Sequence, residues 1–179
     1  ALDDRVGCAI LCSVLRQVYV TGLRPACDVY FAFTCREELG ISGARTAAYK
    51  IDPDFAIVLE ATAAGDITGT ADYRQVAHLG RGGAVSLMDR STIYDRPFTD
   101  WILKVAEEES IPCQIKQYVS GGNDAGHIHK SRAGVRCAAI SAPARYIHTA
   151  SNVVAKSDIE SMEQLIMAAV SYTHLRAHE

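Results

Sequence analysis

The run Val29-Tyr30-Phe31-Ala32-Phe33 leads into Cys35-Arg36-Glu37-Glu38-Leu39-Gly40-Ile41-Ser42-Gly43-Ala44. An aromatic and β-branched run, then polar residues, then helix-compatible ones describe a strand, a turn and a helix. Residues 27–34 are therefore expected to form a buried strand, and Ser42 to Lys50 a short helix stopped before Asp52-Pro53. Two adjacent carboxylates stand between them. Like charges at the end of a buried strand repel and are costly to desolvate, and a bound cation removes that penalty. With Asp3 near the start and His148 near the end, the pair points to a metal centre.

Working outward, Val6, Ile10, Val14 and Val18 recur at helical spacing behind Asp3-Asp4, and Gly22 ends the pattern. An N-cap role explains one of those aspartates and leaves the other unexplained. Phe55 to Glu60 is a short apolar run that ends on an acid. Residues 63–83, with five glycines, form a long irregular connection. Ala84 to Met88 suits a strand, and Pro97 suits the first turn of a helix running to about Glu109 that buries Phe98, Trp101, Ile102 and Val105. Residues 112–119 form another strand. Gly121-Gly122-Asn123-Asp124 opens a helix that Gly134 closes, and Val135 to Ile140 is the last strand. Ser157-Asp158-Ile159-Glu160 is a capping-box pattern ahead of a helix with Ile159, Met162, Leu165, Ile166 and Ala169 on one face. Alternating strands and helices describe an α/β sandwich with a mostly parallel sheet, whose ligands bind beyond the carboxyl ends of the strands. Glu37, Glu38, Glu60 and His148 all fall at such ends.

Composition narrows the function classes. The 179 residues suffice for one domain with a substantial core, and 49% apolar with 22% charged residues is an ordinary globular balance. A net charge of −3 provides no basic footprint for nucleic acid or an anionic membrane surface. No apolar run reaches the roughly 20 residues that span a bilayer, and no secretory signal pattern opens the chain, so a cytoplasmic location is expected. The six cysteines form no CxxC pair and are expected to be reduced, mostly buried thiols. Residues 1–169 are read as one catalytic-domain portion, and residues 170–179 as a polar, aperiodic and non-native tail.

Six motifs in a fixed order carry a family resemblance. They are Leu2-Asp3-Asp4-Arg5-Val6-Gly7, Glu37-Glu38-Leu39-Gly40 with Gly43-Ala44, Val58-Leu59-Glu60-Ala61-Thr62, Ile111-Pro112, Gly121-Gly122-Asn123-Asp124-Ala125 and Arg145-Tyr146-Ile147-His148. Together they resemble the glutamyl or deblocking aminopeptidases, two-metal peptidases of which some build tetrahedral assemblies. The resemblance implies a three-layer α/β/α sandwich with a mostly parallel mixed sheet. The opening strands, a small inserted β domain and a His-x-Asp metal ligand would lie upstream of this chain. It implies two divalent metal ions, zinc first, with cobalt or manganese compatible. Asp3 would bridge them, Glu38 and His148 would complete one, and Glu60 would bind the other. Glu37 would be the general base, moving a proton from the metal-bridging water to the leaving amine. Peptides would be the substrates, and the full-length protein a homo-oligomer.

Rival readings stand beside this one. A metal-independent glycoside hydrolase of endoglucanase type would use two carboxylates as acid and base, and a truncated chain could be an inactive module. Asp124 is equally explained as an N-cap after a Gly-Gly turn or as a substrate-binding residue. His127 and His129 have His-x-His spacing, but inside a helix they would point to different faces.

Overall fold

The sheet is built on two apolar runs, Phe55–Ala63 (β1) and Arg136–Arg145 (β4), which lie parallel with Phe55 opposite Arg136 and Ala63 opposite Ala144. The computed structural model describes residues 2–175. Gly83–Val85 (β2) pairs antiparallel with β4, and Cys113–Ile115 (β3) pairs parallel with β2. Val153–Val154 (β5) adds a short antiparallel pairing at the end of β4, and the main order is β1-β4-β2-β3. The sheet is thus mixed, with its long central pair parallel. Because β1 and β4 run the same way, the chain leaves both strands at the same edge of the sheet.

Side chains alternate across the strands, so Leu59 and Ile140 face one layer while Val58, Cys137 and Ala139 face the other. The first layer holds helices Leu2–Thr21 (α1), Arg96–Glu108 (α3) and Lys156–Ser171 (α5). They bury Val6, Ile10 and Val14, then Phe98, Ile102 and Val105, then Met162, Leu165 and Ile166. The second layer holds Ser42–Ile51 (α2) and the single turn Ala125–Ile128 (α4), which pack on each other through small residues such as Ala44 and Ala48. This is the expected three-layer α/β/α sandwich. Among the described residues, no helix is long and apolar enough to cross a membrane.

Several local expectations are corrected. Residues 27–34 form no strand, and Val29, Tyr30 and Phe33 are exposed. A strand exists only through pairing, and no described backbone group bonds this segment to a neighbour. Phe31 alone packs against the core. The helix expected after Asp124 closes after one turn, at Ile128, and the chain then turns through Arg132 and Gly134, both at positive φ, into β4. The cysteines are mostly not buried: Cys8 and Cys12 lie on the face of α1 turned from Val6, Ile10 and Val14, while Cys27 and Cys35 flank the unpaired segment. Cys137 is the buried one. At the other end, α5 continues through Val170, which is buried, and Tyr172 donates to Glu109. The last four positions of the expected tail, 176–179, lie outside the described residues.

The capping box is also replaced by a different arrangement. The residue before α5 is Ala155, with no side-chain cap. Asp158, fully buried, instead accepts hydrogen bonds from the backbone N–H groups of Gly80 and Gly82 at 2.8 Å each. Ser161 accepts from Gly83 at 3.1 Å. Gly82 sits at φ +84° against the Pro112 carbonyl, where a side chain would collide. One carboxylate therefore sets the entry of the long 63–83 connection into β2. Asp158→Ala leaves one buried and one partly buried donor unpaired and is expected to lower the unfolding free energy by about 2 kcal/mol. Urea denaturation followed by circular dichroism checks this; an unchanged midpoint would mean that the glycine turn is held by other contacts.

Candidate metal centre

The Glu37-Glu38 pair stands on a tight turn. The Ile41 N–H donates to the Arg36 carbonyl at 2.9 Å and Gly40 N–H to Glu37 at 3.2 Å, with Arg36, Gly40 and Ile41 all at positive φ. The turn closes onto the first turn of α2, where the Gly43 N–H donates to the Cys35 carbonyl at 3.1 Å. A Cβ at Gly43 would overlap that carbonyl, so glycine permits the close approach. The two glutamates thereby diverge, Glu37 half-buried and Glu38 exposed.

Asp3 and Asp4 divide their work. Both have non-helical backbone, and Asp4 accepts from the Gly7 N–H at 3.1 Å, the geometry of an N-cap. Asp3 makes no such bond. Its side chain is 12% exposed, and its Oδ2 lies 3.3 Å from His148 Nε2. The same nitrogen is 3.7 Å from Glu38 Oε1. His148 reaches this point because Tyr146 and His148, beyond the end of β4, both take positive φ and turn the chain back.

Two donor clusters result. Asp3, Glu38 and His148 bring ligand atoms within 4.8 Å of one another, as do Asp3, Asp4 and Glu60. Asp3 belongs to both. Glu60 does not end its strand as expected: β1 continues to Ala63, so Glu60 is held inside the sheet, its Oε1 accepting from the Ala61 N–H at 3.1 Å. Asp4 is the member to which the sequence assigns no metal role; the Asp3-Asp4 pair, of which a cap explains only one, is the available signal. Carboxylate oxygens with one imidazole nitrogen suit a divalent cation of borderline hardness, so the residues present fit a metal.

The electrostatics describe a site short of positive charge. Burial pushes Glu60 up to about 9, helped by Asp4, Glu37 and Asp3. Burial likewise raises Asp4 to about 7, with Asp3, Asp124 and Glu37 adding repulsion against the opposing Gly7 hydrogen bond. Glu37 is raised to about 7 by burial and then by Glu38, Asp124 and Asp3, while His148 pulls the other way. Among the described residues, His148 is the one basic side chain in ion-pair contact with any of these acids. Lys116 is near enough to Glu60 to feel its charge, and its ammonium donates to the Ser120 carbonyl at 2.9 Å.

Asp124 borders this cluster from α4. Its Oδ2 accepts from Thr34 Oγ1 at 2.5 Å, tying the irregular 28–36 segment to the sandwich. Its Oδ1 is buried and makes no hydrogen bond among the described residues. It does not cap α4 through its side chain. Neighbouring Asn123 and Tyr94 are locked by Asp89, which accepts from Ser91, Thr92 and Tyr94. His127 and His129 part company as helix geometry requires: His129 Nδ1 lies 2.6 Å from the Ala125 carbonyl, and neither joins a donor cluster among the described residues.

Known proteins share this arrangement of sequence and fold. The family described as M42 glutamyl aminopeptidase matches residues 1–165. The lysyl aminopeptidase of Pyrococcus furiosus is 30% identical over 168 residues, covering 93% of this chain and 46% of that protein. The TET aminopeptidase from the marine sediment archaeon Thaumarchaeota archaeon SCGC AB-539-E09 superposes with a TM-score of 0.93 at 35% identity, covering 96% of this chain and 48% of that one. The TET1 peptidase of Pyrococcus horikoshii, which can assemble into a tetrahedron or a large octahedral shell, gives a TM-score of 0.79 at 29% identity, covering 94% and 48%. The chain spans about half the length of the relatives it matches. With the family match running over nearly all of its length, the chain belongs to the M42 glutamyl aminopeptidase family.

Proposed function

We propose that this chain carries the metal- and proton-handling half of a cytoplasmic aminopeptidase that removes amino-terminal residues from peptides. The observation that carries the proposal is the sharing of Asp3 between two donor clusters. Asp3 is assigned as the bridging ligand, Glu38 and His148 as ligands on one side, and Glu60 with Asp4 on the other. Zinc fits this set first, and cobalt or manganese are compatible. Bound there, divalent cations would polarise the scissile carbonyl and make water a competent nucleophile at neutral pH.

The chain's own residues account for the rest. Glu37 stands beside the ligands without belonging to either cluster, and its carboxyl, raised to about 7, is poised to exchange a proton near neutrality. It is assigned as general base, taking a proton from the attacking water and handing it to the leaving amine. The unpartnered Oδ1 of Asp124 is assigned to the substrate, where a cationic amino terminus would satisfy it. Two donor clusters that share Asp3, one of them completed by an imidazole, favour the metal-dependent peptidase over a metal-independent endoglucanase, which needs only a pair of carboxylates. Self-assembly, as in the TET1 peptidase, is supported by the exposed apolar side chains Tyr19, Val20, Tyr30 and Phe33.

Two measurements test this assignment. Asp4 and Glu60 have folded values of about 7 and 9 against ordinary values of 3.8 and 4.5, so the folded metal-free chain holds more protons than the unfolded one. Its stability is fully present below about pH 4 and is lost as pH rises through 7 to 9. The chelator-treated chain is therefore expected to melt at falling temperature from pH 5 to pH 9, with zinc restoring it at pH 8. A flat or rising profile would contradict the clustering of these acids. Secondly, Glu37→Gln should leave zinc content, read by mass spectrometry, nearly unchanged, while His148→Ala should lose zinc. In a polypeptide extended to the length of the relatives, Glu37→Gln should cut turnover by at least about a hundredfold; near-normal turnover would remove Glu37 as the base.

A further inference from the structure

Away from the carboxylates, the second layer carries the opposite charge. A cavity of about 630 Å³ lies between α2 and α4, and its lining includes Arg45, Tyr49, His127, Lys130, Ser131 and Arg132. No carboxylate lines it. Arg45 and Lys130 have no acidic partner in ion-pair contact among the described residues, whereas Arg96 pairs with Asp100 and Lys156 with Glu160. Ser131 Oγ is buried from solvent yet forms no hydrogen bond among the described residues.

One cation there is held in place. Arg132 Nε donates to the Tyr49 carbonyl at 2.7 Å, and its guanidinium lies 4.1 Å from the centre of the Tyr49 ring. Asp52 sits 3.4 Å from Arg132 at the rim and takes part of its charge, which leaves Arg45 and Lys130 as the cations of the lining without an acidic partner among the described residues. Arg45, Lys130 and the fixed Arg132 guanidinium line the same cavity, and cations gathered in this way recognise carboxylates and phosphates. In a chain of net charge −3 this is a local inversion and not part of a general basic surface.

We propose that the cavity between α2 and α4 is an anion-binding site for a small carboxylate- or phosphate-bearing molecule, held by Arg45, Lys130 and Arg132 with Ser131 as a neutral donor. The site borders the proposed active centre through α4, where Asp124 and His127 sit one turn apart and His127 favours the ionised Asp124. The inference is independent of the peptidase reading, because it is read out by binding in the absence of metal.

The test is calorimetric titration of the metal-free full chain with inorganic phosphate and with succinate, followed by amide-proton shifts in NMR. One saturable site is expected, with the largest shifts at Arg45, Lys130 and Ser131. The surface substitutions Arg45→Gln and Lys130→Gln should each weaken binding about tenfold. Displacement of phosphate by Ala-Ala-Ala but not by its carboxamide would identify a peptide carboxylate as the source. Displacement by neither would identify a separate small anion. Absence of saturable binding, affinity unmoved by both substitutions, or shifts centred elsewhere would overturn the proposal.

Discussion

Mutual repulsion among Asp3, Asp4, Glu37, Glu38 and Glu60 is the constraint on which the organisation of this molecule turns. The acids are delivered by three different devices: a helix start, a tight turn, and the inside of a parallel strand. Left to itself such a group has to take up protons, and the raised values of Asp4, Glu37 and Glu60 express that need. His148 offsets part of that charge from 3.3 Å and 3.7 Å. A divalent cation would offset far more, and a deficit of this kind is the physical basis for reading the cluster as a metal centre.

The fold meets the constraint by rigidity on one side and by local turns on the other. β1 and β4 share a register that fixes Glu60 against Ser141, with both strands ending near the same edge. That edge is where His148 returns and where α1 begins. The helices of the first layer bury a continuous apolar core that keeps Asp3 and Asp4 in place from behind. On the other side, the Glu37-Glu38 turn depends on a short set of backbone bonds, on Gly43 and on the Thr34–Asp124 tether. The half of the site built on strands is pinned by many bonds, and the half built on the turn by few.

Much of this was legible in the residues, and the losses have specific causes. Helical spacing places α1, α3 and α5, because each carries a continuous apolar stripe. Asp3, Glu38, Glu60 and His148 were named from motif order, and the folded chain brings them together as two clusters. The failures depended on partners that one segment cannot encode. The run Val29 to Phe33 has strand composition and no strand beside it. Ser157-Asp158-Ile159-Glu160 matches a capping pattern, yet Asp158 is taken by Gly80 and Gly82, far away in sequence. The exposed cysteines reflect helix phase and that unpaired segment, neither of which composition contains. Asp4 carries a double role, cap and cluster member, that local rules count only once.

Zinc titration of the chain and its variants tests most directly whether one carboxylate, Asp3, serves both halves of the proposed centre. Loss of His148 or of Glu60 should each remove one of the two binding events in calorimetry. Asp3→Asn should remove both together, with circular dichroism unchanged. An Asp3→Asn chain that binds zinc with the stoichiometry and affinity of the parent would contradict the shared-ligand account.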